Sequence, residues 1–119
     1  MRRPIFVANW KMHKTRAEAR AFVETFAPLV ADADAVDIAL APPSTLLDCV
    51  GGGLAGSLVG LAAQNVHCEA KGAFTGEVAP GMLVDIGCHY AIVGHSERRA
   101  LFGESDAFVA SKAAAVTHD

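Results

Sequence analysis

Short apolar runs alternate with amphipathic stretches along this chain. Ile5–Ala8, Val36–Ala41, Leu58–Ala63 and Ala91–Gly94 predict four strands. Their near-continuous apolar character is that of strands buried on both faces of a parallel sheet. Helical spacing recurs between them. Thr15 with Glu18 predicts a capping box, followed by an inward stripe of Phe22, Val23, Phe26, Leu29 and Val30. Pro42-Pro43 ends the second strand, and Ser44 is placed as N-cap of a helix through Leu46, Leu47 and Val50. Gly51-Gly52-Gly53 reads as the termination or frayed end of that helix, since each glycine costs about 1 kcal/mol relative to alanine. Pro80 fits the first position of a third helix carrying Met82, Leu83 and Ile86. Ser96–Phe102 has helical composition, and Ser105 caps a last helix whose Phe108, Val109, Ala113 and Val116 face inward.

Strand followed by helix, four times over, calls for parallel strands joined by right-handed helical crossovers, an α/β class. Ligands in such folds gather at the C-terminal ends of the strands. The stretch Gln64–Ala79 is a long loop, and loops of that length in a compact domain are usually functional. Phe74 at its tip reads as a partner surface or as simple loop packing, with equal weight.

Composition narrows the function classes. The 119 residues suit one domain spanning 1–119, and 52% apolar with 19% charged residues describes a globular chain. A net charge of −3 without charge blocks argues against nucleic-acid binding, and Arg2-Arg3 and Arg98-Arg99 read as solvated pairs. No segment approaches the roughly 20 apolar residues of a membrane span, and no signal peptide is recognisable, so no membrane role is expected. Cys49, Cys68 and Cys88 are odd in number and lack C-x-x-C spacing. They argue against a disulfide framework and a zinc site, and point to a reducing cytoplasm.

Two constellations fall at strand ends. Asn9 and Lys11, two apart on an extended segment, present an amide and an ammonium to one spot, which suits a phosphorylated or carbonyl-bearing ligand. His95 follows Gly94, where a sharp backbone turn is expected, and opens the Ser96–Phe102 helix. The positive helix end disfavours imidazolium there, and a neutral imidazole can donate a hydrogen bond to a substrate carbonyl. Taken alone, a histidine beside a glutamate is more often a satisfied surface or cap residue. The triple glycine is a weak phosphate-cradle candidate, without G-x-G-x-x-G and without a Walker lysine.

Ala8-Asn9-Trp10-Lys11-Met12, then Gln64-Asn65-Val66 with Gly72-Ala73-Phe74-Thr75-Gly76-Glu77, then Val93-Gly94-His95-Ser96-Glu97-Arg98-Arg99 stand in a familiar order and spacing. On those stretches the chain resembles the triosephosphate isomerases, across essentially its whole length. The resemblance implies a (β/α)8 barrel of which the first four βα units, a half-barrel, are present. It implies interconversion of dihydroxyacetone phosphate and D-glyceraldehyde 3-phosphate through an enediolate, with no metal or organic cofactor. Lys11 would steady the phosphate and enediolate charge, with Asn9 as the accompanying amide. His95 would be the neutral electrophile, which is this family's own known case rather than a deduction from spacing. Glu97 would be an auxiliary carboxylate, or merely a helix-end acid and ion-pair partner of Lys11. Phe74, Thr75, Gly76 and Glu77 resemble the family's dimer loop and imply an isologous homodimer. His13, His67, His89 and His118 match no catalytic position and read as structural or solvated.

The family's barrel runs to about 250 residues, roughly twice this chain. The catalytic glutamate, the lid loop and the later phosphate loops are therefore expected to be missing, and the 119-residue chain is expected to be inactive alone. Open edges at the first and fourth strands would account for the mean hydropathy of +0.31. They imply poor solubility, or pairing with a second copy or a complementary C-terminal half-barrel. The alternative is a non-catalytic half-barrel acting as a binding or assembly module. A different isomerase on the same barrel is a more distant reading.

Overall fold

A computed structural model describes residues 3–117; Arg2 and His118 lie outside them. Four strands, β1 (Ile5–Asn9), β2 (Asp37–Ala41), β3 (Val59–Ala63) and β4 (Tyr90–Ala91), lie side by side in chain order. All three pairings are parallel, with Asn9 opposite Ala41, Leu40 opposite Leu61 and Ala62 opposite Tyr90. The helices are α1 (Arg16–Leu29), α2 (Leu47–Gly53), α3 (Pro80–Asp85), α4 (Ser96–Phe102) and α5 (Asp106–Thr117). A 3₁₀ turn at Ser44–Leu46 leads into α2.

Strand alternation sorts the sheet into two faces. Leu40 and Leu61 join Val23, Leu47, Val50 and Leu83 from the helices in the main core. On the opposite face Ala39, Ala41 and Ala62 form a small second cluster with Ile92. Ile5 and Val7, whose register partners are Asp37 and Ala39, share that face and are 47% and 42% exposed. Edge positions in the strand order fall to β1 and β4.

The capping box forms as the sequence predicts: Glu18 N–H donates to Thr15 Oγ1, and Thr15 N–H donates to Glu18 Oε1 at 3.0 Å. Those bonds, the backbone one foremost, lower the pKa of the Glu18 carboxyl. Pro80 opens α3 as expected.

Several local expectations are corrected. Ser44 makes no side-chain cap bond; it begins the 3₁₀ turn after Pro43. By contrast, Gly51-Gly52-Gly53 forms the C-terminal end of α2, which stops at Gly53 with Leu54 as C-cap, as expected of a glycine run. Packing adds a second use for these glycines: a Cβ on Gly51 would meet Leu61 Cδ2 at 3.1 Å, and one on Gly53 would meet Val23 Cγ1 at 3.1 Å. The two glycines let α2 approach β3 and α1 closely before it ends. The fourth strand is two residues long rather than Ala91–Gly94, and Tyr90 is exposed because it lies on an edge. Leu29 at the end of α1 and Met82 on α3 point outward. On α5, Val109, Ala113 and Val116 are half-buried while Phe108 lies at the margin. The fully buried side chain of that helix is Lys112.

Candidate active site

The C-terminal ends of the strands carry a groove of about 580 Å³ whose lining includes Asn9, Lys11, Gln64, His95 and Glu97. Each residue is held by a local feature of the chain. Asn9 is the last residue of β1, and its Oδ1 accepts the Lys11 N–H at 2.8 Å. That bond occupies the amide oxygen and leaves the amide nitrogen as a donor. Lys11 does not continue the strand: its φ of +55° lies in the left-handed region. The expected extended segment from Asn9 to Lys11 is therefore replaced by a turn. A left-handed L-residue is disfavoured by about 1–2 kcal/mol, and such outliers cluster at functional sites. Gln64, the first residue after β3, donates from Nε2 to Lys11 O at 2.8 Å and to Ala41 O at 2.9 Å.

Gly94 makes the sharp turn into α4, with φ +64° and a Cβ position only 2.7 Å from Val109 Cγ1. His95 is the N-cap of α4, and its Nδ1 accepts the Glu97 N–H at 3.1 Å. An Nδ1 used as an acceptor leaves Nε2 as the ring nitrogen that donates. Glu97 Oε1 lies 3.1 Å from Lys11 Nζ and 3.4 Å from His95 Nδ1. One carboxylate oxygen thus touches both sequence-predicted groups, which the chain separates by more than 80 residues. The Lys11–Glu97 pair is roughly half exposed, so it contributes little stability and yields to a stronger anion.

The Phe74 loop folds back on its own stem. Glu77 N–H donates to Phe74 O at 3.0 Å, and His67 N–H donates to Val78 O at 2.8 Å. The Phe74 ring rests on His67, with centroids 4.3 Å apart, yet stays 44% exposed. Thr75 and Gly76 are exposed beside it. His67 is buried beneath the loop and His13 is exposed, while His89 Nδ1 accepts the Leu61 N–H at 3.3 Å.

A buried ion network behind the site escaped the sequence reading. Glu104 Oε2 accepts from Arg98 Nε at 2.8 Å and from Lys112 Nζ, while Lys112 Nζ also donates to Asn65 Oδ1 at 2.7 Å. Arg98 is thus more than a solvated charge, and Arg99 likewise donates to Gly94 O at 3.0 Å and pairs with Asp106. Together these contacts fasten α4, which carries His95 and Glu97, to α5 and to the end of β3. Burial raises the Glu104 pKa, but the hydrogen bonds and charges of Arg98 and Lys112 outweigh it and leave the carboxyl below its ordinary value. The readable signal was Lys112 itself, four residues from both Phe108 and Val116 on the inward face.

A parallel sheet with a lysine, an amide and a histidine at the C-terminal ends of its strands defines an α/β protein of the kind whose sites lie there, as in barrels and doubly wound folds. Residues 4–119 match the family model of triosephosphate isomerase. A triosephosphate isomerase from Symbiobacterium thermophilum is 57% identical over 119 residues, covering 99% of this chain and 46% of that relative. The corresponding enzyme of Pelobacter propionicus is 53% identical over 115 residues, covering 97% and 46%, and that of Herpetosiphon aurantiacus is 50% identical over 113 residues, covering 95% and 45%. The chain belongs to the triosephosphate isomerase family. It spans about half the length of the curated relatives it matches, and its four parallel strands are a half-barrel of that fold. Among the described residues, no helix is long and apolar enough to cross a membrane.

Proposed function

We propose that this chain forms the electrophilic half of a triosephosphate isomerase site, interconverting dihydroxyacetone phosphate and D-glyceraldehyde 3-phosphate. The convergence of Lys11 and His95 on one Glu97 oxygen carries this reading. A phosphorylated three-carbon ketone displaces the Glu97 carboxylate from Lys11 and gains the ammonium for its own negative oxygens. His95 donates from Nε2 to the carbonyl oxygen, and the Asn9 amide nitrogen donates beside it. Polarising the carbonyl acidifies the neighbouring C–H. A proton leaves C1 and negative charge moves to the oxygen on C2; the hydroxyl proton on the C1 oxygen passes to that oxygen, and reprotonation at C2 leaves a carbonyl at C1, giving the aldose with no net oxidation. Donors fixed before the reaction stabilise that developing charge most effectively.

No residue of this chain is assigned the base that removes the C1 proton. Glu97 is unsuited, because its oxygen lies 3.4 Å from the electrophile itself rather than across the substrate carbon. Positioned bases contribute roughly 10²–10⁴-fold, so the 119-residue chain assayed alone is expected to be nearly inactive. The exposed Phe74–Glu77 tip fits a homodimer loop, and the exposed β1 residues fit a complementary half-barrel. A cytoplasmic location follows from the glycolytic substrate.

The test is a chimaera joining residues 1–119 to the half of the Symbiobacterium thermophilum relative that the alignment leaves unmatched. Coupled assays should detect isomerisation of dihydroxyacetone phosphate by the chimaera and not by the 119 residues alone. A folded chimaera without isomerase activity would reject the reading in favour of a non-catalytic binding module.

A further inference from the structure

We infer that Gln64 is a positioning residue, holding Lys11 in the left-handed conformation that sends its ammonium toward Glu97 and His95. Three observations carry this. Lys11 has φ +55° without being glycine, asparagine or aspartate, the residues that tolerate this region. Both its backbone polar groups are held by side chains: the N–H by Asn9 Oδ1 at 2.8 Å and the carbonyl by Gln64 Nε2 at 2.8 Å. The same Nε2 donates to Ala41 O at 2.9 Å, so Gln64 ties the turn to the end of β2. Both acceptors are backbone carbonyls, and only the NH₂ end of an amide can serve two of them. Gln64 is half-buried, and its backbone belongs to the end of the sheet rather than to the turn it restrains. Asn9 alone is a weaker restraint, because it lies two residues from Lys11 and turns with it.

Without the Gln64 bonds, Lys11 relaxes toward ordinary backbone conformations and its ammonium leaves the groove for most of the time. A binding-competent state populated only in part raises the apparent dissociation constant by the inverse of that fraction. The relaxed fraction follows from the ordinary disadvantage of a left-handed residue, so KM should rise by about 5–30-fold. At saturating substrate the competent conformer is selected again, and kcat should hold.

The kinetic consequence rests on the isomerase reading; the conformational one does not. Gln64→Glu keeps the length and shape but cannot donate to either carbonyl when ionised, and Gln64→Leu removes the polar end. Both are compared with wild type in the chimaera by steady-state kinetics and crystal structures. Expected are the raised KM with kcat within about twofold, an effect smaller than ~0.5 kcal/mol, and a Lys11 φ outside the left-handed region. Gln64→Glu should recover toward wild-type KM as pH falls and its carboxyl regains a donor hydrogen, a profile that mere loss of packing would not give. A Lys11 φ still near +55° in both variants, with Lys11 Nζ still beside Glu97, would overturn the inference. If the wild-type chimaera is folded but inactive, the proposed function fails while the crystal structures still decide the role of Gln64.

Discussion

Lys112→Met is expected to destabilise the chimaera by about 3–5 kcal/mol in urea unfolding, the effect of removing one partner from a buried ion pair. Lys112 and Glu104 have side chains 1% and 2% exposed, so solvent cannot take over for the lost ammonium. Arg98 still reaches Glu104, which puts the effect toward the lower end. Asn65 Oδ1 also loses its donor. Replacing both members, Glu104→Leu with Lys112→Met, should recover much of the loss, because an apolar pair of similar volume is often as stable as a buried ion pair. A double variant no better than the single would mean that geometry, not uncompensated charge, sets the effect.

The same network gives stability a pH dependence of known sign. The Glu104 carboxyl titrates below its ordinary value of 4.5 when folded, so the folded state holds its proton less tightly than the unfolded state does. The stabilisation is complete above about 4.5 and is lost as pH falls through the depressed folded value. The stability gap between wild type and Glu104→Gln should therefore narrow only on the acid side of 4.5. A gap that stays constant into that acid range would contradict the network's role.

The second large effect is on catalysis. His95→Ala should lower kcat of the chimaera by about 10²–10³-fold, the range for removing one preorganised donor to a developing oxyanion. KM should change far less, since the imidazole acts mainly as charge develops. Lys11→Met should instead raise KM steeply, because it deletes the cation and also leaves the Glu97 carboxylate unpaired in the anion site. Lys11→Met with Glu97→Gln should therefore bind substrate better than Lys11→Met alone. Equal KM values for those two variants would show that Glu97 does not occupy the substrate's place.

Much of the fold was legible because local and tertiary preferences agree along most of the chain. β1, β2 and β3 fall within a residue or so of the apolar runs, and Thr15 and Pro80 mark helix starts as their chemistry dictates. The rest depended on tertiary contacts. Gly51-Gly52-Gly53 does mark the end of α2, but that the missing side chains of Gly51 and Gly53 also admit Leu61 and Val23 is a tertiary fact that composition does not carry. β4 was read too long because apolar Ile92 and Val93 continue past the point where pairing stops, although the Ile92 N–H still donates to Ala63 O at 2.8 Å.

The site was legible in residue type but not in geometry. Asn9, Lys11, Glu97 and His95 were identifiable, and the structure brings all four to one groove. The left-handed turn at Lys11 was not, because its support comes from Gln64, more than 50 residues away. Nor was the clasp of Glu104 and Lys112, since a loop carboxylate eight residues before a lysine on the next helix gives no periodic signal.

The groove closes around a three-carbon guest only if the ammonium near the front of the chain and the imidazole near its back reach the same molecule. A crystal structure of the chimaera soaked with dihydroxyacetone phosphate reads this directly. The prediction is a ligand with its carbonyl oxygen about 2.6–3.2 Å from His95 Nε2, its negative oxygens on Lys11 Nζ, and Glu97 moved aside. A ligand bound by only one of those two groups, or bound elsewhere on the half-barrel, would contradict it.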